Sequence, residues 1–123
     1  MEPLGHPLKT PRFLAWLLAL GLATGGCGGG GGQEITVTMS DFAFEPRDFP
    51  IQAGQKTTIA LQNKGAVEHN FTVAQLNVVS PNVPPQQAAR VELAAPRGTY
   101  KVVCTIPGHE EAGMVGQVTV VRR

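Results

Sequence analysis

The sequence contains few of the residues on which several common protein classes depend. Its 123 residues include two cysteines, too few for the disulfide framework of a small secreted scaffold. The formal net charge of +1 gives no electrostatic basis for nucleic acid as a partner. The length suffices for one folded domain and not for two. Apolar residues make up 42% of the chain, which supports a buried core and argues against wholesale disorder.

The N-terminal segment lacks an apolar run long enough to cross a membrane. Lys9 and Arg12 precede an apolar run at residues 13–23, whose 11 residues fall short of the roughly 20 that a spanning helix needs. A short apolar run behind basic residues and before small residues is typical of an export signal. We therefore predict a signal peptide at residues 1–26 and a location outside the cytoplasm, in the periplasm or at the cell surface.

Two processing sites fit this signal. Small residues that end in Cys27 resemble a bacterial lipoprotein signal, in which Cys27 becomes the lipidated first residue of a membrane-anchored protein. Thr24 departs from that pattern, since leucine is usual three residues before the cysteine. Ordinary secretory cleavage after Ala23 is the alternative, because Gly21 and Ala23 form a small-x-small pattern. A glycine-rich linker is predicted at residues 27–33 and the folded domain at residues 34–123.

From residue 34 onward, apolar residues alternate with polar ones. Turn residues separate the alternating runs, and no stretch has the period of a helix. This pattern predicts an all-β protein, an antiparallel sandwich or barrel. The segment from Gln75 to Arg90 contains three prolines and is predicted to run over the surface. The alternating runs include Ile35, Val37 and Met39; Ile59 and Leu61; Phe71 and Val73; Val91 and Leu93; Tyr100 and Val102; Val118 and Val120.

The alternation also predicts which side chains point into the sandwich. His69 has the same parity as Phe71 and Val73, and Cys104 has the same parity as Tyr100 and Val102. Because alternate residues of a strand lie on the same face, one histidine and one cysteine should enter the interior from different strands.

The loop after Cys104 carries two further metal-binding side chains, His109 and Met114. Thiolate, imidazole and thioether are soft or borderline donors, unsuited to calcium or magnesium and suited to copper. His69 would supply a second imidazole. Two histidines and a cysteine with a weak axial methionine form the ligand set of blue-copper sites.

Each of these residues also has an ordinary explanation when it is taken alone. A buried histidine, a buried thiol, a core methionine and a loop histidine are all common in proteins without a metal. Together, however, these explanations do not account for one fact. Both histidines of the predicted domain fall at positions with the spacing of metal ligands. Asp41, Glu45 and Asp48 are interpreted as solvated loop charges, and no hydrolase arrangement accompanies them. Zinc would favour a closed tetrahedral set without a thioether.

Three stretches resemble the cupredoxins, the small type 1 blue copper proteins that include plastocyanin and azurin: residues 39–46, 63–73 and 100–120. The resemblance implies a Greek-key β-sandwich or barrel that holds one copper ion. It also implies that the copper ligands are His69, Cys104, His109 and Met114. The Cys-x4-His-x4-Met spacing is closest to that of auracyanin, rusticyanin and sulfocyanin.

The resemblance extends to residues around the ligands. It implies that the backbone N–H of Asn70 points at the cysteine sulfur and that the Asn70 side chain bonds to Thr105. It also implies that His109 reaches the surface beside a docking patch for redox partners. Small or apolar residues form this patch and two glutamates form its rim: Pro107, Gly108, Ala112, Glu110 and Glu111.

These observations predict an exported, membrane-tethered, monomeric electron carrier that cycles between Cu(I) and Cu(II) and is not an enzyme. Its expected partners are redox proteins, such as a c-type cytochrome or a membrane-bound oxidase or reductase, and the membrane through the lipid anchor. A copper storage or delivery protein is the alternative of a different class, and a sandwich without a metal is the third.

Overall fold

The computed structural model describes residue 5 and residues 32–123. Except for residue 5, the predicted signal peptide lies outside the described residues, as do Cys27 and most of the glycine-rich linker. Within residues 32–123 the regular elements are short strands and one 3-10 turn at Ala74–Leu76. No helix in this described part is both long and apolar enough to cross a membrane.

Two sheets contain the strands of the described domain. The four-stranded sheet has the order β2-β1-β4-β7, and the five-stranded sheet has the order β3-β9-β8-β5-β6. The predicted all-β sandwich is therefore confirmed. The strands are β1 (Gln33–Ser40), β2 (Ala43–Glu45), β3 (Asp48–Gln52), β4 (Thr57–Asn63), β5 (Thr72–Val73), β6 (Val78–Val79), β7 (Ala88–Leu93), β8 (Gly98–Val103) and β9 (Val115–Val121).

The apolar core lies between these two sheets and follows the predicted alternation. Along β4, Thr57, Ile59, Leu61 and Asn63 are buried, and the residues between them are more exposed. Phe71 is fully buried and lies against the rings of Phe44 and Phe49 at centroid distances of 5.8 and 6.4 Å. The core residues join the two sheets into one body, and burial of their side chains is the main stabilising term.

The predicted antiparallel pairing is wrong for two pairs of strands. β1 lies parallel to β4, and β3 lies parallel to β9. The chain leaves the first sheet after β2, adds β3 to the second sheet, and returns to the first sheet as β4. Because of this crossover, β4 runs in the same direction as β1. The alternation of apolar and polar residues shows which face of a strand is buried, but it does not show whether the neighbouring strand runs parallel or antiparallel.

Two segments also differ from the sequence prediction. β1 begins at Gln33, one residue before the predicted domain start, because Gln33 pairs with Thr57 of β4. The segment from Gln75 to Arg90 does not simply run over the surface. It contains β6 and the start of β7, and its Val83 is 2% exposed. Val83 is buried because its backbone pairs with that of His69, while the neighbouring prolines stay exposed.

One end of the sandwich collects the residues that concern function. β1, β4 and β8 end there, and β9 begins there, so the loops that join them meet. The parallel register places Met39 of β1 opposite Asn63 of β4, just before the turns that follow each strand. The other end contains the start of β1, which pairs with the start of β4.

Candidate metal centre

His69 is fixed in the interior through its backbone. Its N–H donates to the Val83 carbonyl over 3.2 Å, and its carbonyl accepts from the Val83 N–H over 2.8 Å. The side chain of His69 is fully buried, as the parity of residues 69, 71 and 73 predicted. This two-bond bridge holds the start of the segment that leads to β5, so the imidazole has a defined position.

Asn63 supports the turn that leads to His69, and the sequence analysis did not identify it. Its side-chain amide donates to the carbonyls of Val67 and Val83, each over 2.8 Å. Its side-chain oxygen accepts from the N–H of Gly65 over 2.8 Å. Asn63 is 1% exposed, so these bonds replace water that cannot reach the amide. The sequence Asn63-Lys64-Gly65 indicated a turn. It did not indicate the bond to Val83, because Val83 lies 20 residues further along the chain.

Cys104 follows β8 directly, and a loop carries the chain from it to β9. The loop folds back on itself: the N–H of Met114 donates to the His109 carbonyl over 3.0 Å. The N–H of Cys104 donates to the Met114 carbonyl over 3.3 Å. Gly108 and Gly113 have φ angles of 85° and 105°, which glycine adopts without strain. The loop therefore holds all three candidate ligands near the end of the sandwich.

The structure brings three candidate donor atoms together. Nδ1 of His69 lies 3.2 Å from Nδ1 of His109, and Sγ of Cys104 lies 3.4 Å from the same His109 nitrogen. His69, Cys104 and His109 form a group whose ligand atoms lie within 4.8 Å of one another. Bonds of about 2.0–2.3 Å to a single ion would place nitrogen and sulfur donors roughly 3–4 Å apart. Their spacing and chemistry therefore fit one metal ion, and soft donors of this kind fit copper.

The centre is shielded from water. His69, Cys104 and Met114 are fully buried, and His109 is 9% exposed. The ring of Phe42, which is 42% exposed, makes a T-shaped contact with the ring of His109 at a centroid distance of 5.1 Å. Burial lowers the pKa of His69, which favours the neutral imidazole that a metal requires. A hydrogen bond to Asp41 opposes this effect without reversing it.

Asn70 and Thr105 connect the two ligand-bearing segments. The backbone N–H of Asn70 donates to Sγ of Cys104 over 3.4 Å, and its side-chain amide donates to the Thr105 hydroxyl over 2.9 Å. Both contacts that the resemblance implied are thus present. The N–H of Thr105 also donates to the Asn70 side-chain oxygen over 2.9 Å. The hydroxyl of Thr72 donates to the same oxygen over 3.2 Å.

Asp41 lies in an exposed turn, as interpreted from the sequence, and its carboxylate also contacts a candidate ligand, which the sequence did not indicate. Its Oδ1 lies 3.3 Å from Nε2 of His69 and accepts from the N–H of Ala66 over 2.9 Å. The bond from the Ala66 N–H, more than the bond to His69, lowers the pKa of the Asp41 carboxyl. Asp41 is 28 residues from His69 in the chain, so no local sequence pattern joins them. The pairing of β1 with β4 brings them together.

The predicted docking residues are exposed around His109. They include Pro107, Gly108, Glu111 and Ala112, which lie on the surface. The carboxylate of Glu111 forms no ion pair with any residue of the described domain. Glu110 forms an ion pair with Lys101 of β8. Of the two glutamates predicted at the rim, only Glu111 therefore presents an uncompensated charge.

Comparisons with known proteins show the family of this chain. The model of the cupredoxin-like domain family matches residues 12–120. The copper-resistant cuproprotein CopI of Rubrivivax gelatinosus is 31% identical over 109 residues, or 72% of this chain and 66% of that protein. The chloroplastic plastocyanin of Oryza sativa subsp. indica is 35% identical over 104 residues, or 76% of this chain. The chain spans 66% of the length of each of these two relatives.

A solved structure supports the fold. The dithionite-reduced auracyanin of Roseiflexus castenholzii superposes with a TM-score of 0.66 at 22% identity, over 75% of this chain and 99% of that one. The family match and the donor set of the site together support copper as the predicted cofactor. From its family match and its two-sheet sandwich, the chain belongs to the cupredoxin-like domain family.

Proposed function

We propose that this domain binds one copper ion through His69, Cys104, His109 and Met114 and carries single electrons between redox proteins. The observation that carries the proposal is the convergence of two imidazole nitrogens and one thiol sulfur in a buried site. When bound, copper supplies one-electron exchange between Cu(I) and Cu(II). Met114 would supply the fourth donor, because it is fully buried at the end of the ligand loop and its backbone bonds to His109 and Cys104.

The protein residues would favour fast exchange by keeping the site rigid and dry. His69 is held through Val83, and Cys104 through Asn70 and Met114. A site held in this way changes little when the charge of the ion changes, so little reorganisation opposes electron transfer. The N–H of Asn70 stabilises negative charge on the Cys104 sulfur, because a hydrogen bond to the charged form favours that form.

Electrons are proposed to enter and leave near His109, whose ring keeps a small exposed fraction. The residues around it are small or apolar, so a partner can approach without removing water from many charges. A small docking area suits a carrier that must release its partner after each transfer. The proposed partners are redox proteins with a basic docking face, such as a c-type cytochrome, or a membrane-bound oxidase or reductase.

A copper-handling role is the second candidate. It is favoured by the similarity to a relative named as a copper-resistant cuproprotein. The two roles differ in how the metal is held, since a delivery protein must release copper and a carrier must keep it. Transfer of copper to a competing chelator within minutes would favour delivery, and retention over hours would favour electron transfer.

The absorption spectrum of the copper-loaded, oxidised protein tests the proposed function directly. We expect an intense blue band from the copper–thiolate bond and its loss on reduction. Stopped-flow mixing with a reduced c-type cytochrome should restore the spectrum of the reduced protein in one second-order step. A protein that remains colourless after copper addition and oxidation would contradict the proposal.

Glu111 is predicted to steer a basic partner, whereas the charge of Glu110 is offset by Lys101. Glu111→Lys should lower the second-order rate with such a partner several-fold at low salt and flatten its dependence on ionic strength. Glu34→Lys makes the same change of net charge near the start of β1, roughly 20 Å along the strand from Ser40. It also breaks the exposed ion pair of Glu34 with Arg90. Equal rates for both variants at low salt would show that Glu111 does not steer.

We also propose that the domain works outside the cytoplasm and is anchored through lipidated Cys27. Residues 28–32 would then give a reach of about 11–13 Å between the anchor and β1. Because β1 enters at the end of the sandwich opposite the metal centre, the ligand loop would face away from the membrane. Partners in the aqueous compartment could then reach His109.

If this anchor exists, the protein should sediment with membranes, and Cys27→Ser should move nearly all of it to the soluble fraction or leave it unprocessed. Mass spectrometry of the mature N-terminus distinguishes the two processing sites. A mature protein that begins at Thr24 and carries no lipid would rule out the anchor.

A further inference from the structure

The turn after β1 contacts the histidine pair from outside the ligand loops. Asp41 Oδ1 lies 3.3 Å from Nε2 of His69, the nitrogen that faces away from the other donor atoms. Phe42, the next residue, packs against the ring of His109. Phe42 has a φ of 64°, in the left-handed region that large residues rarely adopt. This unusual backbone turns the aromatic ring toward His109 while Asp41 faces His69.

The contact between Asp41 and His69 is accommodated by Gly65. A Cβ atom at residue 65 would overlap Oδ1 of Asp41 and would lie 3.0 Å from Nε2 of His69. Gly65 is buried and is itself held by the side chain of Asn63. Any larger residue at position 65 would therefore occupy the space in which the carboxylate meets the imidazole.

This contact selects one form of the imidazole. A carboxylate accepts hydrogen bonds, so Nε2 of His69 carries the proton and Nδ1 keeps its lone pair. Nδ1 is the nitrogen that faces His109 and the thiol group. A carboxylate on the outer nitrogen of a ligating histidine also makes the inner nitrogen a stronger donor. Stronger donation stabilises the more highly charged state of a metal ion.

We propose that Asp41 is a positioning residue that fixes the Nδ1-ligating tautomer of His69 and biases the site toward the oxidised ion. The first part concerns the copper-free protein and stands without any metal. The second part rests on the proposed function, since it requires a copper ion bound by His69.

The copper-free protein gives the first test. In Asp41→Ala the tautomer of His69, measured from the ¹⁵N shifts of its ring, should change from mainly Nε2–H to a mixture. Asp41→Asn keeps an oxygen that can accept from both His69 and Ala66, so it should preserve the Nε2–H tautomer. Gly65→Ala should reproduce the mixture without changing either partner, and thermal unfolding of each variant shows whether the fold is retained.

The copper-loaded protein gives the second test. Asp41→Ala should weaken Cu(II) binding by about 10- to 100-fold, the usual effect of removing the outer partner of a ligating histidine. Asp41→Asn should raise the reduction potential, because it removes the negative charge and keeps the hydrogen bond. Glu68→Gln is the matched control, since Glu68 carries the same charge beside His69 in the chain and bonds only to Asn82.

The outcomes separate the two proposals. If the His69 tautomer is unchanged in Asp41→Ala, the positioning role is wrong. If Asp41→Asn and Glu68→Gln shift the potential equally, the effect is that of a distant charge and not of the contact. If the wild-type protein binds no copper, the proposed function fails, and the tautomer of the copper-free protein still decides the role of Asp41.

Discussion

Replacing Cys104 with serine is expected to remove the blue band of the copper-loaded protein entirely. The band requires a bond between copper and a thiolate, and a serine hydroxyl is neither as soft a donor nor as easily deprotonated. The fold should survive, because serine is close in size to cysteine. The cost of burying its hydroxyl is about 1–3 kcal/mol. Absorption spectra of the oxidised protein and far-ultraviolet circular dichroism measure the two results.

Two variants serve as controls for this experiment. Cys27→Ser makes the same chemical change in the predicted linker and should keep the full band. Met114→Leu removes the other sulfur donor and should keep both copper and colour while raising the reduction potential, since the oxidised ion would have one fewer donor to stabilise it. A Cys104→Ser protein that retained the band would show that Cys104 is not the copper ligand.

Replacing Asn63 with alanine is expected to have the largest effect on stability. The change removes three hydrogen bonds, and the Val67 carbonyl and the Gly65 N–H lose their side-chain partner. The Val83 carbonyl loses one donor but keeps the N–H of His69. Each buried group left unpaired costs roughly 1–3 kcal/mol, and partial rehydration of the exposed part reduces the sum to about 2–4 kcal/mol. For a domain of this size the melting temperature should fall by roughly 10–25 °C.

Thermal unfolding of the copper-free protein measures this loss without any contribution from metal binding. Gln62→Ala is the control, because Gln62 is the exposed neighbour of Asn63 on the same strand. If Asn63→Ala melts within a few degrees of the control, the turn does not depend on this side chain. A large loss would also predict weaker copper binding, since Asn63 bonds to the Val83 carbonyl that receives the His69 N–H.

The local sequence predicted the parts of the fold that follow from strand geometry. Successive side chains of a strand point to opposite faces, so the parity of His69 with Phe71 and Val73 predicted that all three are buried, and they are. The same argument placed Cys104 in the interior with Val102. The kinds of donor at these positions indicated a soft metal site before any distance was known, because ligand preference is a property of the side chains.

The tertiary structure alone decided which distant residues meet at that site. The parallel pairing of β1 with β4 brings Asp41 to His69, and the bridge to Val83 places the segment after β6 beside the same histidine. The ion pair with Lys101 leaves Glu111 as the free acid of the predicted rim. The sequence determined the donors and the face on which each one lies, since both depend on a residue and its immediate neighbours. Contacts between residues far apart in the chain, which no local pattern encodes, decided the rest. They set the direction of the strands, the support of His69 by Asp41 and Asn63, and the balance of charge around His109.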